Sequence, residues 1–262
     1  MRRRWCIPVA VFALVGGSTL AFASAAAASS AAPRSGHMIV QSGGPAHLIR
    51  PFRAIHGHRN AVTSSNWSGY AAHGGNYTSV SASWVEPTGH CNGSAHRYSS
   101  FWVGLDGYSS GTVEQAGSEV DCNGRTAKYY SWFEMYPKYP VVFGNAVRPG
   151  DHFHGSVTYN GGGRFTLRLS DVTRGWTHTV HKSLGSARRS SAEVIVEAPS
   201  SRQGVLPLTD FGTVHVTQAR VNGSRIAARH PTKIIMASGG TRKDSVSALI
   251  NGQNFSATWH HS

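Results

Sequence analysis

The sequence predicts an all-β protein, a sandwich of two antiparallel sheets, and three observations predict it. From residue 61 onward, short runs rich in Val, Thr, Tyr, Phe and Trp alternate with clusters of Gly, Pro, Asn and Asp, the pattern of strands separated by turns. Within those runs apolar residues recur in twos, and no stretch shows a sustained helical period. "YNGGGRF" and "LINGQNF" have the Gly/Asn content of tight hairpin connections. About ten short strands at this spacing suit a two-sheet sandwich.

Taken in order, "MRRR", an apolar run from Ile7 to about Phe22 and "ASAAAASSAAP" have the charged, apolar and small-residue regions of a secretion signal. Residues 1–28 are therefore expected to be removed on export. No later stretch approaches the roughly 18 apolar residues that span a bilayer, so the mature chain is expected outside the cell and free of the membrane. Residues 29–60 are rich in Gly, Pro, His and Arg and contain no acid. They read either as a disordered leader or as a basic propeptide covering an acidic site. Residues 61–262 read as one domain. Its expected strands include "TSVSASWVEP", "RYSSFWVGLDG", "TVEQAGSEVDC", "KYYSWFEMYP", "HFHGSVTYN", "RFTLRLSDV", "AEVIVEA" and "FGTVHVTQARVNG".

The chain has 25 Lys and Arg against 12 Asp and Glu, a formal charge of +13. Residues 1–60 hold seven Arg, no Lys and no acid, so the charge drops to +6 without them. The excess is scattered, with no dense basic run and no nucleic-acid motif, which excludes nucleic acid as the expected partner. Of three cysteines, Cys6 leaves with the signal. Cys91 and Cys122 are then an even pair in an oxidising compartment and are expected to form a disulfide. A metal site needs more ligands at shorter spacing.

Two local patterns have ordinary explanations. "GYSSG", residues 107–111, matches a serine nucleophile elbow around Ser109, but that elbow needs a helix after the turn and "TVEQAGSEV" is strand-like. His152 and His154 in "DHFHG" share a strand face, but no motif supplies a third ligand, and solvated histidines are expected.

Counting in twos places the acids. In "AEVIVE", Glu193, Ile195 and Glu197 point one way and Val194 and Val196 the other. Trp102, Gly104 and Asp106 share a face, as do Tyr130, Trp132, Glu134 and Tyr136, and Gln115 shares one with Val113 and Gly117. If these faces belong to one sheet, they line a groove with aromatics and carboxylates. From the residues alone, that groove is a glycoside hydrolase site using Glu134 and Glu197 or a sugar-binding surface without chemistry.

A resemblance points to a third activity. "SSNWSGY", "FWVGLDG", "TVEQAG", "YYSWFEMYP", "AEVIVE" and "DFGTVHVTQA" occur in this order, and together they resemble the glutamic peptidase (eqolisin) family of secreted acid endopeptidases. The resemblance implies a lectin-like sandwich of two seven-stranded antiparallel sheets. It further implies a catalytic pair, Gln115 and Glu197, with Asp106, Trp132, Glu134, Trp67 and Trp102 supporting the groove. In the mechanism it implies, Glu197 takes a proton from a water held between the pair and later protonates the departing amine, while Gln115 binds the oxyanion. The implied enzyme is a pepstatin-insensitive acid protease acting on proteins or peptides without metal or cofactor, and the chain is separately expected to be a monomer. Glu193 is expected to face solvent or to sit behind the pair.

Overall fold

Period-two burial builds the molecule. In Ser79–Val85, Val80, Ala82 and Trp84 are buried while the residues between them are partly open, and Arg164–Asp171 repeats the pattern with Phe165, Leu167 and Leu169. Each such strand has one face for a core and one for water. The computed structural model describes residues 34–35, 50–58 and 61–262. The expected signal peptide, 1–28, and most of the expected leader lie outside the described residues.

One sheet runs in the order Arg34–Ser35, Trp176–Ser183, Arg164–Asp171, His152–Tyr159, Ser79–Val85, Thr213–Val221, Phe255–Trp259, Asp244–Val246. The other runs Ala54–His58, Ala61–Ser64, Thr232–Ser238, Trp67–His73, Ser191–Glu197, His96–Leu105, Val113–Asn123, Thr126–Tyr136, Val141–Phe143. Pairing is antiparallel except where Arg34–Ser35 meets Trp176–Ser183 and Ala61–Ser64 meets Thr232–Ser238. The expected sandwich is present. Its sheets are wider than seven strands because short edge segments, including Ala54–His58 of the leader, add to them. The only helical element among the described residues is a 3-10 turn at Ile226–Arg229.

The main core lies between the sheets. Phe101, Val103, Ala116, Phe133, Val194 and Val196 of one pack with Val80, Trp84, Phe153, Phe165 and Leu167 of the other in one buried cluster. "YNGGGRF" makes the hairpin between His152–Tyr159 and Arg164–Asp171, closed by Asn160 N–H to the Arg164 carbonyl. Cys91 and Cys122 are disulfide-bonded.

The second sheet departs from the one-face rule. All seven residues of Ser191–Glu197 are buried, because the face turned away from the core is covered as well. That face carries a separate cluster of Trp67, Ala71, Trp102, Val113, Trp132, Ile195 and Ile234.

Candidate active site

Register assembles the site on this outer face in three rows. Glu197 stands opposite Trp67 on one side and Ser100 on the other, and Ser100 opposite Glu119. Two residues along, Ile195, Trp102, Gly117 and Trp132 are in line. Two further on, Glu193, Gly104, Gln115 and Glu134 are in line. Gln115 and Glu197 thus share a face, two strands apart and displaced along His96–Leu105 by the distance from Gly104 to Ser100.

Trp102 bridges that displacement. Its Nε1 donates to Glu197 Oε2 at 3.1 Å, and its ring extends over Gly104. A Cβ added at Gly104 would meet Trp102 Cζ3 at 2.9 Å and Gln115 Cβ at 3.1 Å. Gly104 is therefore glycine because the indole and the glutamine occupy the space above it.

Glu197 is fully buried, and burial pushes its carboxyl well above the ordinary glutamate range. Four donors oppose that rise: Arg50 N–H at 3.0 Å and Asn66 Nδ2 at 3.3 Å on Oε1, the Trp102 indole on Oε2, and the Trp67 side chain. Asn66 is itself held by Ser64, whose Oγ donates to Asn66 Oδ1 at 3.0 Å. Gln115 Nε2 donates to Glu134 Oε2 at 2.5 Å, which fixes the amide's orientation. Glu119 accepts from Ser100 Oγ at 2.6 Å. Trp132 Nε1 is a buried donor with no acceptor among the described residues.

Asp106 is placed differently. It follows the last strand residue, Leu105, at φ 69°, outside the three rows, and gathers the neighbouring loop. Oδ2 accepts Arg188 N–H at 2.8 Å and Arg189 N–H at 2.7 Å, and Oδ1 accepts Ser190 N–H at 2.9 Å and Ser110 Oγ at 3.0 Å. It supports the rim. Glu193, expected at solvent or behind the pair, is fully buried in the row of Gln115. Burial pushes its carboxyl well up, and the Asp106 and Glu114 charges add to the rise. The solvent-facing alternative is corrected: alternation gave its side of the strand, but not that this side is covered.

Ser109 is exposed on a loop that leads into a strand, and its Oγ lies 3.2 Å from Ser190 Oγ, so no nucleophile elbow forms. His152 and His154 are on the outer face of the other sheet, His154 Nδ1 2.9 Å from Ser83 Oγ. Among the described residues no three His, Cys, Asp or Glu side chains converge as a metal site.

Part of the expected leader lies on the site. Besides the Arg50 N–H bond to Glu197, Trp67 Nε1 donates to the Arg50 carbonyl at 2.9 Å and Asn66 Nδ2 to the same oxygen at 3.3 Å. Phe52 N–H donates to the Gly107 carbonyl at 3.0 Å, and Ser65 N–H to the Arg53 carbonyl at 3.2 Å. Gln115 and Glu197 are both 0% exposed.

Residues 65–259 match the model of the peptidase A4 family. The chain belongs to the peptidase A4 family. These are the eqolisins, glutamic-type endopeptidases, as the six motifs implied. Aspergillopepsin-2 of Aspergillus niger is 26% identical over 230 residues, 78% of this chain and 81% of the relative. Scytalidopepsin B of Scytalidium lignicola is 30% identical over 152 residues, 56% of each chain. Among solved structures, scytalido-glutamic peptidase with a transition state analog inhibitor superposes with a TM-score of 0.66 at 24% identity, covering 75% of this chain and 98% of that one. Aspergilloglutamic peptidase from Aspergillus niger gives 0.57 at 24% identity, covering 63% and 99%. At those identities the superpositions speak for the A4 fold. The glycoside hydrolase and sugar-binding readings give way to the family match.

Asn66, Ser100 and Tyr108 were not singled out in sequence. Asn66 stands inside "SSNWSGY", so a signal was there, since an amide beside an aromatic at a strand start is well placed to reach a neighbouring carboxylate. The Arg50–Arg53 contacts had no periodic signal.

Proposed function

We propose that the chain is an acid-acting endopeptidase in which Glu197 is general base and acid and Gln115 is the oxyanion donor. The observation that carries this is the indole between them, bonded to Glu197 at one end and sharing the space over Gly104 with Gln115 at the other. A peptide bond above Trp102 has a carboxyl group and an amide N–H on opposite sides of it.

The ionised Glu197 carboxylate takes a proton from water as the water oxygen bonds to the peptide carbonyl carbon. The carbonyl π pair moves to oxygen, and an N–H of Gln115, oriented by Glu134, stabilises that charge. Glu197 then returns the proton to the peptide nitrogen, the C–N bond breaks, and an acid and an amine leave. No metal or organic group takes part in these steps. In the closed chain burial raises the Glu197 carboxyl; opening the groove to water removes that cause and brings ionisation down toward the acid range.

We extend the proposal to the leader. Arg50–Arg53 lies on Glu197 and the pair has no exposure, so the leader is read as a pro-segment that keeps the site shut after export directed by residues 1–28. The mature enzyme acts as a monomer on proteins or peptides. Incubation with a denatured protein between about pH 2 and 5 tests the activity: cleavage that persists with pepstatin and chelators supports it, and absence of cleavage at every acid pH rejects it. Arg50→Pro deletes the N–H that Glu197 accepts and should raise the activity of the unprocessed chain. Unchanged latency contradicts the pro-segment reading.

A further inference from the structure

We infer that the groove has a subsite for an aromatic side chain, formed by Tyr108 and Trp67 and filled by Phe52 of the chain's own leader. The inference rests on the peptidase reading, because it takes Arg50–Arg53 as a peptide lying in the groove. Counted from the amide whose N–H Glu197 accepts, Phe52 is the third residue. That amide nitrogen stands where the departing amine would, so the subsite reads the third residue on the leaving-group side.

The backbone and the side chain of Phe52 are held separately. Its N–H donates to the Gly107 carbonyl at 3.0 Å, a bond that any non-proline residue makes. Selection is left to the ring, which lies 4.5 Å from Tyr108 at an interplanar angle of 17°, stacked, and 5.8 Å from Trp67 at 51°, tilted. Both are favourable aromatic geometries.

The wall also has supports that do not involve the leader. Tyr108 also stacks on His73, 4.4 Å away at 14°, and its N–H donates to Ser191 Oγ at 3.3 Å. His73 Nε2 is in turn 2.9 Å from Thr232 Oγ1. Gly107, at φ 101°, turns the chain against Trp67, and a Cβ there would meet Trp67 Cη2 at 2.9 Å. A ring entering this cleft costs little ordering of the protein, the condition under which contact area becomes affinity. Peptides with Phe, Tyr or Trp at the third leaving-side position are the favoured class. An aliphatic residue keeps the backbone bond and loses the stack.

The test uses the full chain carrying Arg50→Pro and Phe52→Ala, which delete the amide that Glu197 accepts and the leader's ring, and so free the groove for an added peptide. Binding of the tetrapeptides Arg-Pro-Phe-Arg and Arg-Pro-Ala-Arg is followed by calorimetry. The phenylalanine peptide should bind about tenfold tighter, a stacking contribution of ordinary size. Adding Tyr108→Leu should reduce that ratio to near one, whereas Tyr108→Phe, which keeps the ring, should preserve it. Equal binding of the two peptides, no binding of either, or a ratio that survives Tyr108→Leu overturns the subsite. Because the readout is binding, it stands even if no proteolysis is found. In an acid digest of a peptide library, the same subsite should appear as enrichment of aromatics at the third position after the cut.

Discussion

Trp102 and Glu197 are joined by a hydrogen bond from indole Nε1 to Oε2 at 3.1 Å, and both side chains are buried. This bond favours the charged carboxylate and ties the glutamate to the ring that shares the space over Gly104 with Gln115. Trp102→Phe keeps the ring and deletes the donor. The Glu197 pKa should rise, so the acid limb of the pH–rate profile should move to higher pH and kcat/KM should fall about tenfold or more in acid. An unmoved acid limb contradicts the role given to the indole.

Gly104→Ala tests the same arrangement from below. The added methyl group would stand 2.9 Å from the Trp102 ring and 3.1 Å from Gln115 Cβ, and neither buried group has room to retreat. We expect loss of activity of about a hundredfold with a smaller loss of stability. Full activity in Gly104→Ala would show that the indole and the amide are not set by this contact.

The acids give a pH dependence of stability. Ten of the chain's twelve Asp and Glu are buried, all but Asp121 and Asp210, which are partly so. Burial raises Glu86 to about 8, Glu114 to about 9 and Asp244 to about 7. A carboxyl raised above its unfolded value stabilises the fold fully below about pH 4 to 4.5, and that contribution is lost as pH rises through the folded value. The midpoint of thermal unfolding should therefore be highest in acid and fall from about pH 4.5 to pH 9. Glu114→Gln should flatten the decline. A midpoint that rises from acid to neutral pH contradicts this.

The Cys91–Cys122 bond spans a sequence separation of 31 and encloses Asp106 and Gln115. A loop of about thirty residues is worth roughly 3–4 kcal/mol by chain entropy. The Cys91→Ser, Cys122→Ser double variant should unfold several degrees lower than the parent chain. An identical midpoint would show that the bond adds nothing.

Much of this was legible in sequence for definable reasons. Period two placed Glu193, Ile195 and Glu197 on one side of their strand, and the sequence separated that side from Val194 and Val196, which enter the main core. Gly/Asn clusters marked the hairpin at Asn160–Arg164. Alternation could not say which faces adjoin, and that depends on strand order. Ser191–Glu197 lies between Trp67–His73 and His96–Leu105, far from it in sequence. The covered outer face was likewise hidden, because strands buried on both sides lose the contrast that reveals burial, and this is why Glu193 was allowed a solvent-facing position. Asp106 shared parity with Trp102, yet its positive φ turns it out of the rows toward Arg188–Ser190. Tyr108 and Phe52 meet through loop geometry that no local pattern encodes.

The catalytic assignment is tested most directly by comparing Glu197→Gln with Glu193→Gln on the same strand and face, once equal folding is verified by thermal melting. Both replacements keep size and hydrogen bonding and remove proton exchange. Turnover of a denatured protein at about pH 3–4 should fall to near background in Glu197→Gln and stay within a few-fold of the parent in Glu193→Gln. Gln115→Ala should cost at least about a hundredfold, and the Gln115→Ala, Glu197→Gln double variant little more than Glu197→Gln alone. If Glu193→Gln abolishes proteolysis while Glu197→Gln retains it, the pair is misassigned and Glu193 is the working carboxyl.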